Sequence, residues 1–390
     1  MPILEGLHRL SESLKELDDH SSSEPMGHYQ ELPMDVQESY RYMLQGASLV
    51  HATSTKYTLM GKISLDEASA SVAQDLLMGC QLLATGAMVI GNVRYGCCRS
   101  TRFHTKRAVR AVVCTVLQLV EAFVHDETHG AILEQDNNLA AQKCGAVWSS
   151  CNVFMEKKLP QGNRNAMRRD LFTWMMECNE TMQEFQQLID NGPSSSPSPP
   201  PAQALDANND TGENEKEEEE EDKMPSFEEF LLQCNSTEDQ YTASELEIAK
   251  PCVGLVKCSR GCVNVALKAS DSAGKHLTST ENDTSAALSH DKNPSILQFI
   301  SQLHDMARAV GEGMTDLGTL LYPTLSLDDI EQQGLKQKES IVTLLEFVLD
   351  ASTDMNLDDE VVDMANKIRP AAQLRHDELV HAIHAARPIG

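Results

Sequence analysis

The stretch Ser295–Leu321 reads SILQFISQLHDMARAVGEGMTDLGTLL, and its apolar residues recur at alternating steps of four and three. The series is Ile296, Ile300, Leu303, Ala307, Val310, Met314, Leu317 and Leu321. An average spacing of about 3.5 residues predicts a helix whose apolar stripe packs against another helix. A loop, Tyr322–Gln333, and a second apolar helix, Gly334–Ala351, are predicted to follow.

Residues 295–351 have two interpretations. In the first, the two helices are neighbours in a folded bundle, and their stripes form part of its core. In the second, they form a helix-loop-helix dimerisation unit that binds a partner helix through Ile296, Ile300, Leu303, Val310, Met314, Leu317 and Leu321. The flanking SHDKNPS is not a basic region, so a dimer with a DNA-binding partner would block DNA binding. We favour the first interpretation, because the flanking helices also carry apolar stripes.

The rest of the chain repeats the helical pattern. Helices are predicted over Val36–Met60, Asp66–Ile90, Arg99–Val124, Asn138–Met155, Asn165–Ile189, Ser244–Lys268 and Asp358–Ala386, after an N-terminal helix with leucines at positions 7, 10, 14 and 17. No segment alternates polar and apolar residues with period two, and aromatic residues are only 5% of the chain. These features predict an all-α protein without a sheet.

A compositional break divides this helical pattern. Residues 191–243 begin NGPSSSPSPPPAQ and continue into ENEKEEEEEDK, a composition that cannot bury enough surface to become ordered. The sequence therefore predicts two helical bundles, 1–190 and 244–390, joined by a disordered acidic linker. Ser196, Ser198 and Ser226 in this linker are candidate phosphorylation sites. A second polar stretch, Ser270–Asn293, is predicted to be a loop.

Charge and hydropathy narrow the possible partners. The formal net charge is −27 in 390 residues, which repels phosphate backbones and argues against direct nucleic-acid binding. The longest apolar runs, Leu76–Ile90 and Ala111–Val124, are shorter than the ~18 residues that span a bilayer, so no membrane partner is expected. The N-terminus has no pattern of an export signal, so the eleven cysteines are expected to be reduced.

Four segments resemble the cyclin-D-binding protein family, also called Grap- and cyclin-D-interacting proteins. They are ILEGLHRLSESLKEL, AVWSSCNVFMEKKLPQGNRNAMRRDLFTWMMECNETMQEFQQLID, ELEIAKPCVGLVKCSRGCVNVALK and MTDLGTLLYPTL. They occur in the family's order, with an acidic linker in the family's place. The resemblance covers about two thirds of the chain and contains no short catalytic motif.

The resemblance implies a fold related to the helical bundles of talin, vinculin and α-catenin. It also implies a non-enzymatic regulator, present in cytoplasm and nucleus, that binds D-type cyclins and antagonises helix-loop-helix transcription factors. Such a protein restrains cell-cycle progression. A cytoskeletal or junctional adaptor of the vinculin and α-catenin type is the alternative that the helical pattern leaves open.

The search for chemistry-bearing motifs favours an interaction protein over an enzyme. The sequence contains no Walker A, G-x-G-x-x-G, G-x-S-x-G or kinase motif, so neither catalytic residues nor a cofactor is expected. Cys252, Cys258 and Cys262 lack the spacing of a metal site and are interpreted as small apolar residues. The PSPPP run of the linker offers a polyproline segment to an adaptor protein, although it lacks a flanking Arg.

Two further motifs suggest docking sites. Arg169, Leu171 and Phe172 match the R-x-L-φ pattern of cyclin-docking segments, which need an extended backbone. They fall in a predicted helix, however, where Leu171 and Phe172 are expected to belong to the core. A basic cluster lies at Arg94, Arg99, Arg102, Lys106, Arg107 and Arg110. Most simply it is a solvated helix face. The alternatives are a docking face for an acidic partner or for the chain's own Glu217–Asp222, and a site for nucleic acid or anionic lipid.

Overall fold

A computed structural model describes residues 2–17, 26–60, 67–124, 137–192, 241–278 and 292–387. Of these residues 87% are helical, in ten α-helices and with no strand, which confirms the all-α prediction. The helices are α1 (Pro2–Glu16), α2 (Met34–Met60), α3 (Glu67–Gly91), α4 (Arg99–Val124), α5 (Asn137–Met155), α6 (Gly162–Asp190), α7 (Ala243–Thr278), α8 (Lys292–Thr319), α9 (Leu327–Ala351) and α10 (Asp359–Ala386). Most of the predicted linker, from 193 to 240, lies outside the described residues.

Two helices, α7 and α9, are much longer than the sequence predicts. α7 continues beyond Lys268 into the stretch predicted to be a loop, Ser270–Asn293. Ser272 and Ala273 are buried there, and their packing stabilises the helical conformation. α9 begins at Leu327 instead of Gly334. Ser326 precedes it, with Asp329 in its first turn, and this is the arrangement that favours a helix start.

Helices α1 to α5 enclose one apolar core. α2, α3, α4 and α5 each pack against two of the others, and α1 packs on α3 and α4. The members of this core that are completely buried include Leu7, Leu14, Met43, Val50, Leu76, Leu83, Ile90, Val112, Val116, Leu119 and Val147. The heptad-like spacing of the leucines in α1 therefore marks a core-facing stripe, as predicted.

Close packing of α2 on α3 depends on glycine. A Cβ atom on Gly46 would lie 2.6 Å from the backbone oxygen of Gly79, and a Cβ atom on Gly79 would lie 2.7 Å from Val50 Cγ2. Both distances are too short for real carbon contacts, so any larger residue would force the two helices apart.

α3 is also apolar enough to deserve comparison with a membrane helix. Residues Ala70–Gly91 have the length and mean hydropathy, 1.3, of a bilayer-spanning helix. The prediction that no segment reaches that length is therefore wrong for α3. That prediction counted only the apolar run Leu76–Ile90, whereas the mean hydropathy also includes the small residues beside this run. Half of the most apolar window is buried inside the protein, with Leu76, Leu83 and Ile90 in the core of α1 to α5.

The described chain divides into two compact units, and their chain segments do not coincide with the predicted domains. Unit 1 contains Met1–Trp174, Asn264–Arg308 and Phe347–Asp363. Unit 2 contains Met175–Val263, Ala309–Glu346 and Met364–Gly390. Each unit thus combines residues from before and after 191–243, whereas the sequence predicts one bundle on each side of it.

Unit 1 is held together across the sequence by polar contacts. Asn163 at the start of α6 is completely buried; its amide nitrogen donates to His28 O at 2.6 Å and to Gly96 O at 2.9 Å, and its oxygen accepts from Cys98 N at 2.8 Å. On α7, Asp271 accepts hydrogen bonds from Arg164, at 3.2 Å, and from Arg168. These ion pairs join α6 to α7, which lie on opposite sides of the predicted linker.

Unit 2 has its own apolar core, to which five helices contribute. Its buried members are Cys178, Phe185, Tyr241, Leu246, Ile248, Ala249, Cys252, Leu255, Val256, Met314, Leu317, Leu321, Ile330, Leu379 and Ile383. The Tyr241 hydroxyl donates to the carbonyl of Leu321, which fixes the chain just before α7. Phe185 stands edge-on to Tyr322, with ring centroids 5.2 Å apart. Residues on both sides of 191–243 therefore form this core.

Candidate partner-binding surfaces

The heptad residues are buried in both units. In unit 1, Ile296 is 6% exposed, and Ile300, Leu303 and Ala307 are completely buried. In unit 2, the remaining members are also completely buried: Val310, Met314, Leu317 and Leu321. The seam thus belongs to the interior of the folded chain, as the bundle interpretation expects, and a partner cannot reach it without opening a core.

The R-x-L-φ residues lie on α6, and the rotation between successive helical residues points Leu171 and Phe172 in different directions. Leu171 is 1% exposed and faces the interior, whereas Phe172 is 46% exposed. The Arg169 guanidinium donates to Lys158 O at 2.8 Å. The folded chain therefore does not present these residues as the extended segment that cyclin docking requires. The sequence expectation that Phe172 is part of the core is also wrong, because adjacent helical positions point about 100° apart.

A partly buried carboxylate lies between two histidines, a feature that no sequence motif predicts. Asp170 on α6 accepts from His104 Nε2 at 2.6 Å, and His304 Nε2 lies 3.4 Å from its other oxygen. Burial alone would raise the pKa of Asp170, but hydrogen bonds from His104, His304 and Ser100 outweigh burial and hold that pKa far below its usual range. The residues are distant in sequence, so no spacing motif could reveal the cluster.

The geometry of this cluster is that of a structural clamp. Ser100 Oγ lies 3.4 Å from the same His304 Nε2 that faces Asp170. In a Ser-His-Asp relay the imidazole uses one nitrogen for the serine and the other for the aspartate. Here one nitrogen serves both contacts, so the histidine is not placed to pass a proton from Ser100 to Asp170.

Replacing Asp170 with Asn is expected to destabilise unit 1 by about 2 kcal/mol at pH 7, because the buried His304 and the partly buried His104 lose a charged acceptor. The folded-state pKa is lowered, so the stabilisation is present above the unfolded pKa of about 3.9 and is lost as pH falls further. Thermal melting of wild type and variant at pH 7 measures this difference, and at pH 3.5 the difference is expected to be only slightly smaller, because the folded-state pKa lies well below that pH. Glu180→Gln, an exposed change on the same helix, is the control. Equal destabilisation by both variants would contradict the clamp.

The cysteines singled out in the sequence are buried. Cys252, Cys258 and Cys262 are at most 9% exposed, and burial raises the pKa of each thiol. Within the described ranges, no group of three His, Cys, Asp or Glu side chains is placed to hold a metal ion. These three residues act as small apolar side chains in the packing of α7.

An exposed apolar patch lies where α2 and α5 pack side by side. Trp148 on α5 stacks on His51 of α2, with ring centroids 5.5 Å apart. Met155 lies two turns further along α5, and Leu44 lies two turns back along α2. Both steps run toward the same end of the helix pair, where the Tyr40 hydroxyl hydrogen-bonds to the backbone of Pro160 and Gly162. Leu44 and Met155 therefore lie at about the same height along the two helices.

The exposure of this patch sets it apart from the neighbouring core stripe. Leu44, Trp148 and Met155 are 40%, 38% and 39% exposed. Val147 and Phe154, each one residue earlier on α5, are 0% and 6% exposed. We call Leu44, His51, Trp148 and Met155 the Trp148 patch. Large apolar side chains of this kind are enriched in protein interfaces.

The basic cluster is divided by the structure. Arg102 and Lys106 are buried, whereas Arg94 and Arg107 are exposed. Lys106 Nζ donates to the carbonyl of Leu17, just beyond α1, and to that of Lys15, at 3.3 Å. Part of the cluster therefore secures α1 on α4, and only the remainder forms a surface. The phosphorylation candidates Ser196, Ser198 and Ser226 lie outside the described residues.

Comparison with known protein families matches residues 43–191 to the family described as "Grap2 and cyclin-D-interacting, N-terminal". The match extends from α2 to just past the end of α6 and includes the whole Trp148 patch. It confirms, over these residues, the resemblance to the cyclin-D-binding protein family. No curated protein matches the chain.

Proposed function

We propose, from the family match over residues 43–191, that this chain is a non-enzymatic regulatory protein that binds a D-type cyclin. The family match is the single observation that carries the proposal. The absence of a catalytic motif from the sequence and the clamp geometry at Asp170 support a non-enzymatic role. By resemblance, the protein acts as a negative regulator of cell-cycle progression in cytoplasm and nucleus.

The Trp148 patch is the surface that we assign to the cyclin. It lies inside the matched residues and combines an exposed Trp with Met and Leu side chains at the junction of two packed helices. A rigid helical platform loses little conformational entropy on binding, and a partly exposed Trp can bury its remaining surface against a partner.

Trp148→Ala and Met155→Ala are each expected to weaken cyclin binding at least tenfold, which corresponds to about 1.4 kcal/mol. Titration calorimetry with purified D-type cyclin and the full chain measures the change. Met88→Ala is the matched control, because Met88 on α3 and Met155 are both 39% exposed. Equal weakening by all three variants would remove the patch from the interface, whereas no cyclin binding by wild type would remove the function itself.

A cytoskeletal or junctional adaptor of the vinculin and α-catenin type is the competing function, and the all-helical fold alone supports it. Co-sedimentation of the purified chain with filamentous actin separates the two. Actin binding without cyclin binding would favour the adaptor.

Antagonism of helix-loop-helix factors is a second part of the proposal, by resemblance to the family. The heptad residues of α8 are buried, so a partner helix would have to use another surface or open a core. An adaptor protein that binds the PSPPP run, and phosphorylation of the linker serines, remain predictions from the sequence.

A further inference from the structure

One face of α4 carries a cationic cavity in an otherwise acidic protein. The cavity has a volume of about 240 Å³ and is lined by Phe103, Lys106, Arg107, Arg110, Ala111 and Cys114. These positions follow the three- and four-residue steps of a single helix face. The chain as a whole has a net charge of −27, so a cavity lined by three cations is a local reversal of sign.

Two of the cations have no committed anionic partner among the described residues. Arg107 is exposed and makes no ion pair there. The Nε atom of Arg110 is buried without a hydrogen-bond acceptor in the described part of the chain. Glu12 on α1 is near enough for Arg110 to help lower its pKa, but that carboxylate bonds to Lys15 at 2.6 Å. The face therefore offers guanidinium donors to an acidic ligand.

We propose that this face binds the chain's own acidic run, Glu217–Asp222. The run has six consecutive carboxylates, which complement the cations of the cavity. A separate acidic ligand must approach a protein of net charge −27, and long-range repulsion opposes that approach. A tethered run avoids this barrier, because its effective concentration is on the order of 1 mM.

The chain that connects the acidic run to α6 is long. Twenty-six residues separate Asp190, the last residue of α6, from Glu217. An extended chain covers about 3.3 Å per residue, so this connection spans up to roughly 90 Å. The acidic run is therefore an internal competitor for any acidic partner of α4.

The test uses a fluorescent peptide, EKEEEEED, which copies residues 215–222, and the full-length chain. In one variant, the five glutamates 217–221 become Gln and Asp222 becomes Asn. At low salt the peptide is expected to bind this variant with a Kd of about 100 µM. It is expected to bind wild type about tenfold more weakly, because there the tethered run competes for the site at an effective concentration of about 1 mM. Affinity for the variant is expected to fall as salt rises.

Matched controls separate this site from general charge effects. Glu228→Gln with Glu229→Gln neutralises linker carboxylates outside the run and is expected to leave the weak wild-type binding unchanged. In the neutralised chain, Arg107→Gln, at an exposed position, is expected to weaken peptide binding, whereas Arg41→Gln, also exposed, is not. Equal binding to wild type and neutralised chain, or binding that is indifferent to Arg107, would overturn the proposal.

Discussion

Leu303→Asp is expected to unfold unit 1 instead of producing a folded protein that has lost a partner. Leu303 is completely buried on α8, and an unpaired carboxylate in such a place costs several kcal/mol. The free energy of unfolding of a whole domain is only about 5–15 kcal/mol, so this single substitution removes a large part of it. Helix content and the midpoint of thermal unfolding, both from far-UV circular dichroism, measure the effect.

The neighbouring residue provides the control. Gln302 is exposed on the same helix, and Gln302→Asp introduces the same charge with an expected change within about 0.5 kcal/mol. In unit 2, Asp316 is a natural exposed carboxylate beside the buried Leu317, which shows that the helix tolerates charge on its outer face. A Leu303→Asp protein that melts normally but no longer binds a helix-loop-helix partner would identify the seam as an interface.

Cutting the chain between Pro199 and Asn214 is expected to leave both pieces in one particle. Each unit contains segments from both sides of the cut, so packing and ion pairs within each unit hold the pieces together. A protease site inserted there, followed by size-exclusion chromatography and native mass spectrometry, tests this. The cleaved protein should elute with the uncut 43.0 kDa chain, and separate elution of the pieces would contradict the observed units.

Fragments made separately should behave differently from the cleaved chain. Residues 1–190 retain the core of α1 to α5, but Phe185 loses its partners from after the linker. Removing a buried Phe from a core costs about 3–5 kcal/mol, and here a whole set of contacts disappears. Residues 241–390 alone are expected to lose cooperative melting, and mixing the two fragments should restore it.

The periodicity of the sequence predicted the helices well because helix formation and apolar spacing are local. The predicted ends of α4 agree with the structure at both ends, and α2, α3 and α5 each differ by at most two residues at either end. The largest differences are at α7 and α9, where buried side chains and a capping residue lengthen the helix. Packing of this kind is invisible to a spacing rule.

The partner surfaces were harder to predict than the helices. Val147 and Trp148 are adjacent apolar residues, yet one is completely buried and the other is 38% exposed. Both stripes have helical spacing, so sequence alone does not say which of them faces the core. Leu171 and Phe172 repeat this situation on α6. The Asp170 cluster was invisible for another reason: its residues come from three helices and are up to 204 positions apart.

Local chemistry in the chain was sufficient to establish an all-helical protein, an acidic segment between its halves and an apolar seam along α8. Spacing, composition and charge are properties of neighbouring residues, so they survive without a three-dimensional arrangement. Which helices share a core is a property of contacts between distant residues. Phe185 packs with residues that follow the linker, and Asp271 pairs with arginines that precede it. Such contacts minimise exposed apolar surface and unpaired charge over the whole chain, and no local pattern encodes that minimum.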